Sequence, residues 1–128
     1  MEIRERVEGY IINLSLTYET VEENTWIIND EDNNLNNLVV VAEEPLVIFR
    51  VNVMEIPADK KEEFFEELLR LNASDLVHGA YALENNNVIL IDTLEVDTMD
   101  LEEFQASLDA IGLALSQHYH ILSKYRKQ

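Results

Sequence analysis

Leu38-Val39-Val40-Val41-Ala42-Glu43-Glu44-Pro45-Leu46-Val47-Ile48-Phe49-Arg50-Val51-Asn52-Val53-Met54 reads as two strands closed by a tight turn at Glu43-Glu44-Pro45. Both arms are rich in β-branched side chains, which suit a pleated, half-buried surface. Side chains alternate across a strand, so Val47, Phe49, Val51 and Val53 share one face while Leu46, Ile48, Arg50, Asn52 and Met54 share the other. The first face is wholly apolar and belongs to a core. The second is mixed. A reversal within three residues makes the pair antiparallel, and the rest of the chain is read against that hairpin.

Upstream, Thr25-Trp26-Ile27-Ile28 predicts a strand, and the Asn- and Asp-rich stretch 29–37 predicts a loop, because those side chains bond their own backbone. Ile3, Val7, Tyr10, Ile11 and Leu14 recur at helical spacing before it. Downstream, Ile56-Pro57 closes the hairpin and places a helix start near Pro57, with Phe64, Phe65, Leu68, Leu69 and Leu71 as its apolar stripe. Strands follow at 77–83 and 88–96, joined by Glu84-Asn85-Asn86-Asn87, a turn suited to positive φ. The last helix has the clearest start. Asp100 stands at the N-cap, Glu103 three residues on, and Met99 with Phe104 are spaced as a hydrophobic staple. Its stripe runs through Leu108, Ile111, Leu115 and Leu122, and the small Ala106, Ala110, Gly112 and Ala114 would let another backbone approach closely. The expected fold is α+β, in the order α-β-β-β-α-β-β-α, with three helices packed on an antiparallel five-stranded sheet in a single domain spanning residues 1–128.

Composition removes several functions. The 128 residues carry 26 Asp and Glu against 9 Lys and Arg, a formal charge of −17 that repels nucleic acid. With no Cys there is neither a disulfide framework nor a thiolate nucleophile. The opening Glu2-Ile3-Arg4-Glu5-Arg6 is too charged for a secretory signal, and no apolar run is long enough for a membrane span, so a cytoplasmic protein without a membrane partner is expected. Asp30-x-Asp32-x-Asn34 imitates the opening of a calcium loop, but Leu35 stands where glycine is needed and Val41 where a bidentate Glu is needed. The three glycines are too few and scattered for a phosphate loop.

Three histidines offer the remaining chemistry. His118 and His120 lie about 200° apart on a helix and cannot hold one metal together, so both are read as surface or interface residues. His78, with Asp75 close in sequence, could form a base and its orienting carboxylate, although no nucleophile motif accompanies it. The stronger signal is apolar excess. Leu46 and Ile48, together with Ile89 and Ile91 beside the small Ala80 and Ala82, lie on the sheet face opposite Val47 and Phe49. Helices wrapping both faces, a twin subunit or a client segment would cover them.

Four stretches bear on this: Glu44-Pro45-Leu46-Val47-Ile48-Phe49-Arg50-Val51, Leu68-Leu69-Arg70-Leu71-Asn72-Ala73, Leu76-Val77-His78-Gly79-Ala80-Tyr81, and Ile91-Asp92-Thr93-Leu94 with Leu101-Glu102-Glu103-Phe104. Over residues 3–123 they resemble the YbjN family, whose fold is like that of class I type III secretion chaperones of the CesT/Tir kind. The resemblance implies a small acidic homodimer that binds a protein partner, with no catalytic residue, metal or cofactor. On this reading the client would meet Trp26, Ile28, Leu46 and Ile48. By analogy with the chaperone arrangement, the dimer would use Phe65, Leu69, His78, Ala80 and Ala82. A small-molecule enzyme built on His78, and an acidic regulator competing with nucleic acid for a basic protein, stand as alternatives.

Overall fold

The computed structural model describes residues 2–76 and 78–126. The chain runs α1 (Ile3–Asn13), β1 (Thr17–Glu22), β2 (Thr25–Asp30), a single 3-10 turn (Glu31–Asn33), β3 (Leu35–Glu43), β4 (Leu46–Glu55), α2 (Lys61–Ser74), β5 (Ala80–Glu84), β6 (Asn87–Glu95) and α3 (Leu101–Ser123). The strands form one antiparallel sheet in the order β1-β2-β3-β4-β6-β5.

The sheet therefore has six strands where five were expected. The additional strand is β1, Thr-Tyr-Glu-Thr-Val-Glu, which lies at the sheet's margin with all six residues exposed. A strand that buries neither face carries no apolar alternation, so the sequence left it without a signal. Three boundaries also move. β3 begins at Leu35, inside the stretch expected to be loop, because the 3-10 turn and left-handed Asn34 reverse the chain quickly enough to bury Leu35. α2 begins at Lys61 rather than near Pro57, after left-handed Lys60. The strand expected from residue 77 begins at Ala80, and Val77 lies outside the described residues.

The Leu38–Met54 hairpin is present, with Val41 opposite Ile48 and a cis Glu44–Pro45 peptide in its turn. Val47, Phe49 and Val51 are buried as the alternation requires. Beyond them a bulge between Asn52 and Met54 shifts the register, so Met54 turns into the core in place of Val53, which is only half-buried. One extra residue exchanges the faces of everything after it.

One continuous core joins α1 (Val7, Ile11), α2 (Phe64, Leu68, Leu71) and α3 (Phe104, Leu108, Ile111) to a single row of faces on the sheet. On β2 to β6 that row reads Trp26 and Ile28, Leu38 and Val40, Val47 and Phe49, Tyr81, Val88 and Leu90. Phe104 packs on Phe49 with ring centroids 5.2 Å apart. The α3 start is built as its sequence implies, Asp100 Oδ1 accepting the Glu103 N–H at 2.8 Å. Arg6 ties α1 to the loop before α3, donating to the Val96 carbonyl at 3.1 Å and the Met99 carbonyl at 2.8 Å. Gly112 is where another backbone comes close, since a Cβ there would run into the Asn33 carbonyl of the 3-10 turn.

Candidate docking surface

All three helices share one side of the sheet, so the side chains between the core rows have no helix above them. Register places Ile27, Val39, Ile91 and Ala80 in one cross-strand row with Arg50, and Val41 beside Ile48 in the next. Leu46 and Ala82 extend the same face. These apolar side chains are half-buried, screened by their neighbours. Ile89 is 7% exposed, yet it has no place in the core cluster. The salt bridge from Arg50 to Glu84, at 2.6 Å, spans this face, and the register sets Ile89 and Ala82 between its two ends. The centre is thus mainly apolar, with Thr93 opposite Ile48 and Asn52 opposite Ile89, its Arg50 is neutralised, and Glu19, Glu43 and Glu95 stand at its rim.

The sequence candidates divide against this geometry. Leu46, Ile48, Ala80 and Ala82 lie on the open face. Trp26 and Ile28 do not. Both are 0% exposed in the core, and the Trp26 indole N–H donates to Glu8 Oε2 at 3.1 Å, locking α1 to β2. They are out of reach of a partner. In a run of consecutive apolar residues the strand's phase is ambiguous, and here Ile27 faces outward instead. Val39 and Val41, on either side of buried Val40, are the other members of the face that the sequence did not single out. Of the α2 candidates, Phe65 is half-buried against the core and Leu69 stands 67% exposed.

His78 is exposed. The carboxylate that sequence proximity offered it is engaged elsewhere, Asp75 Oδ2 lying 3.2 Å from His118 Nε2. His118, expected at the surface or an interface, is 1% exposed, because its ring packs on Tyr81 of β5 with centroids 5.7 Å apart. Its Nδ1 sits 2.7 Å from the Tyr81 hydroxyl. The Asp75 carboxylate only accepts, so Nε2 carries the hydrogen it receives, and in the neutral ring of that tautomer Nδ1 is left to accept from the Tyr81 hydroxyl. Burial, and next the Asp75 charge, push the Tyr81 hydroxyl up from 10.0 to about 12. Tyr81 is held by its backbone as well. Its N–H donates to Asn72 Oδ1 at 2.7 Å, and its carbonyl accepts from Asn72 Nδ2 at 3.2 Å. A cleft of about 300 Å³ opens at the far end of α2 between Met54, Lys61, Tyr125 and Arg126, and His78 is not among its lining residues.

Among the described residues, no helix is long and apolar enough to cross a membrane. No curated protein matches the sequence at a significant level. Solved structures match the fold. YbjN from E. coli, described as a candidate transcription regulator, superposes with TM-score 0.71 at 11% identity, over 93% of this chain and 92% of that one. The type III secretion chaperone SycH of Yersinia pestis, in complex with a stable fragment of YscM2, gives 0.64 at 13% identity over 89% and 97%. A chain of the ExoU–SpcU complex from the type III secretion system of Pseudomonas aeruginosa gives 0.62 at 14% identity over 87% and 93%. The family model CesT_Tir_1 matches residues 1–128. The fold, shared with chaperones solved on their protein partners, and the match along the whole sequence place this chain in the CesT_Tir_1 family.

Proposed function

We propose that the protein is a non-enzymatic, cytoplasmic, chaperone-like module that works as a homodimer and docks an extended or amphipathic segment of another polypeptide on the open face of its sheet. The observation that carries this reading is the placement of all three helices on one side, which leaves Ile27, Val39, Val41, Ile48 and Ile91 without a covering layer. Burying such a patch removes apolar area from water at about 25 cal/mol per Å², and the flat centre suits alternate side chains of an extended segment. The unpaired outer side of β1 adds a second element, since an incoming strand could pair with its backbone. The rim carboxylates and the net charge of −17 favour a client with basic flanks and speed its encounter. The dimer contact is placed on α2, through Leu69 and Phe65 with His78 beyond its end, while Ala80 and Ala82, which lie on the open face, belong with the docking surface. Resemblance to chaperones seen with their effectors supports the docking role.

A photo-crosslinking amino acid placed at half-buried Val41 tests it against the same residue at Leu113, which is more accessible, at 58% exposed, but lies on α3. Protein adducts are expected from Val41 only, and Ile48→Asp, which puts a charge beside Val41 without touching the core, should abolish them. Adducts of equal yield from both positions, or adducts unaffected by Ile48→Asp, would refute docking on this face.

A further inference from the structure

Positive charge is scarce in this chain and unevenly placed. Its four lysines stand at 60, 61, 124 and 127, at the start of α2 and the end of α3 beside Arg126, with Lys127 outside the described residues. The other arginines are engaged elsewhere. Arg4, Arg50 and Arg70 reach carboxylates at 3.6, 2.6 and 3.2 Å, and Arg6 holds two backbone carbonyls. Among the described residues, Lys60, Lys61 and Arg126 have no carboxylate partner, and Lys124 has only Glu67, at 3.8 Å. Tyr125 brings the two groups together, its ring packing on Phe64 of α2 with centroids 5.0 Å apart.

The cleft of about 300 Å³ beside these cations has walls of two kinds. Met54, Pro57 and Tyr125 are buried and make its apolar part. Lys61 and Arg126 line it as well, with Glu55 as the one carboxylate, which leaves one positive charge in excess. An adjoining cleft shares Pro57, Tyr125 and Arg126 and adds Lys60 and Lys124 against Asp59. Of the acidic residues on α2, Glu63 accepts from the Tyr125 hydroxyl at 3.3 Å and Glu67 pairs with Lys124, and neither lines the first cleft. Arg126 is held in place, donating to the Val53 carbonyl at 3.4 Å and lying over the Tyr119 ring at 5.1 Å. The Ile56 N–H, bonded to the Asn86 carbonyl at 2.9 Å, fixes another part of the wall. In a chain of net charge −17, an anion meets least repulsion here. A bare ion gains nothing from the apolar residues and a hydrocarbon gains nothing from the cations, whereas a molecule with both parts uses the whole site. We propose that the cleft binds an amphipathic carboxylate, its apolar part against Met54, Pro57 and Tyr125 and its single charge balanced by Lys61 and Arg126. A free medium-chain acid and the C-terminal residue of a peptide both present such a group. None of Ile27, Ile48 and Ile91 lines the cleft, so this site is independent of the docking role proposed above.

The test is a titration of the full chain with sodium octanoate, followed in methionine and isoleucine methyl spectra. Met54 and Ile56, which line the cleft, should show saturable shifts while Ile12 and Ile111 stay still. Octanamide has the chain without the charge and should bind about fivefold more weakly, the most that an exposed ion pair contributes. Acetate has the charge without the chain and should give no saturable shift. Lys61→Gln and Arg126→Gln should each weaken octanoate by about the same factor. Lys61 is exposed, so its variant keeps the test open should Arg126→Gln fail to fold. N-acetyl-leucine separates the two sources: tighter binding than octanoate at Met54 and Ile56 assigns the site to a peptide terminus, and weaker binding assigns it to a free acid. Octanoate and octanamide binding equally, affinity unchanged in the folded variants, or shifts centred on Ile27, Ile48 and Ile91 with Met54 and Ile56 silent would overturn the proposal.

Discussion

Replacing Tyr81 with Phe deletes one oxygen from the joint between β5 and α3 and separates two energetic contributions. The hydroxyl lies 2.7 Å from His118 Nδ1 and donates to it when the ring is neutral, in a site where His118 is 1% exposed. Without it, a buried acceptor loses its partner, and water cannot readily replace the donor, so the loss is about 1–3 kcal/mol. At high pH this contribution is lost. The folded chain holds the Tyr81 proton to about 12, against 10.0 for an unperturbed phenol. The unfolded chain therefore sheds this proton first. The stabilisation is complete below pH 10 and is lost as the pH climbs through 12, by roughly 1.4 kcal/mol for each unit of difference, or on the order of 2–3 kcal/mol in all. Urea denaturation of wild type and Tyr81→Phe at pH 8 and at half-unit steps up to 11.5 should show the variant less stable at pH 8 and the two curves converging as pH rises. Burial and the nearby Glu63 also raise Tyr125, but that residue is common to both proteins and cancels in the difference. Equal stabilities at pH 8, or a gap that stays constant to pH 11.5, would refute the account of this joint.

Other substitutions test the frame. Gly112→Ala gains about 1 kcal/mol of helix propensity but drives a methyl into the Asn33 backbone carbonyl, so a net loss of about 1–3 kcal/mol is expected by thermal or urea unfolding; a stabilised variant would contradict the contact. Arg6→Ala removes charged donors from the Val96 and Met99 carbonyls and should cost about 2–4 kcal/mol, with amide exchange at 96–100 accelerating before the rest of the chain. Asp100→Ala deletes the α3 cap and is expected to lower stability by about 1 kcal/mol, a loss that Asp100→Ser should largely restore.

The parts of this structure that the sequence discloses are those in which local preference and burial agree. The Leu38–Met54 hairpin alternates cleanly because one face is core, and α3 declares its start because Asp100, Glu103 and Phe104 meet the geometry of a helix N-terminus together. β1 was invisible for the opposite reason, since an edge strand with every residue exposed satisfies its backbone without any pattern in its side chains. Trp26 misled through phase. Among Trp26, Ile27 and Ile28 nothing local says which neighbour points inward, and only pairing with β3 settles that Trp26 lies with Val40 in the core. His118 and Asp75 are 43 positions apart, and the tyrosine joined to them comes from a third element, so their meeting depends on tertiary packing. The open face was half legible. Leu46, Ile48, Ala80 and Ala82 were placed on it from alternation in two hairpins, while Ile27, Val39 and Val41 required the register of β2 and β3.

The placement of the docking surface can be decided by isoleucine methyl spectra recorded while an extended peptide of alternating apolar and basic residues is added. Isoleucines report from both sides of the sheet: Ile27, Ile48 and Ile91 on the uncovered face, Ile11 and Ile111 in the helix-covered core, and Ile12 exposed on α1. Saturable shifts confined to Ile27, Ile48 and Ile91, abolished by Ile48→Asp, are the expected result. Shifts centred on Ile12 with the uncovered face silent, or no saturable shift at any isoleucine, would contradict the claim that this face receives a polypeptide.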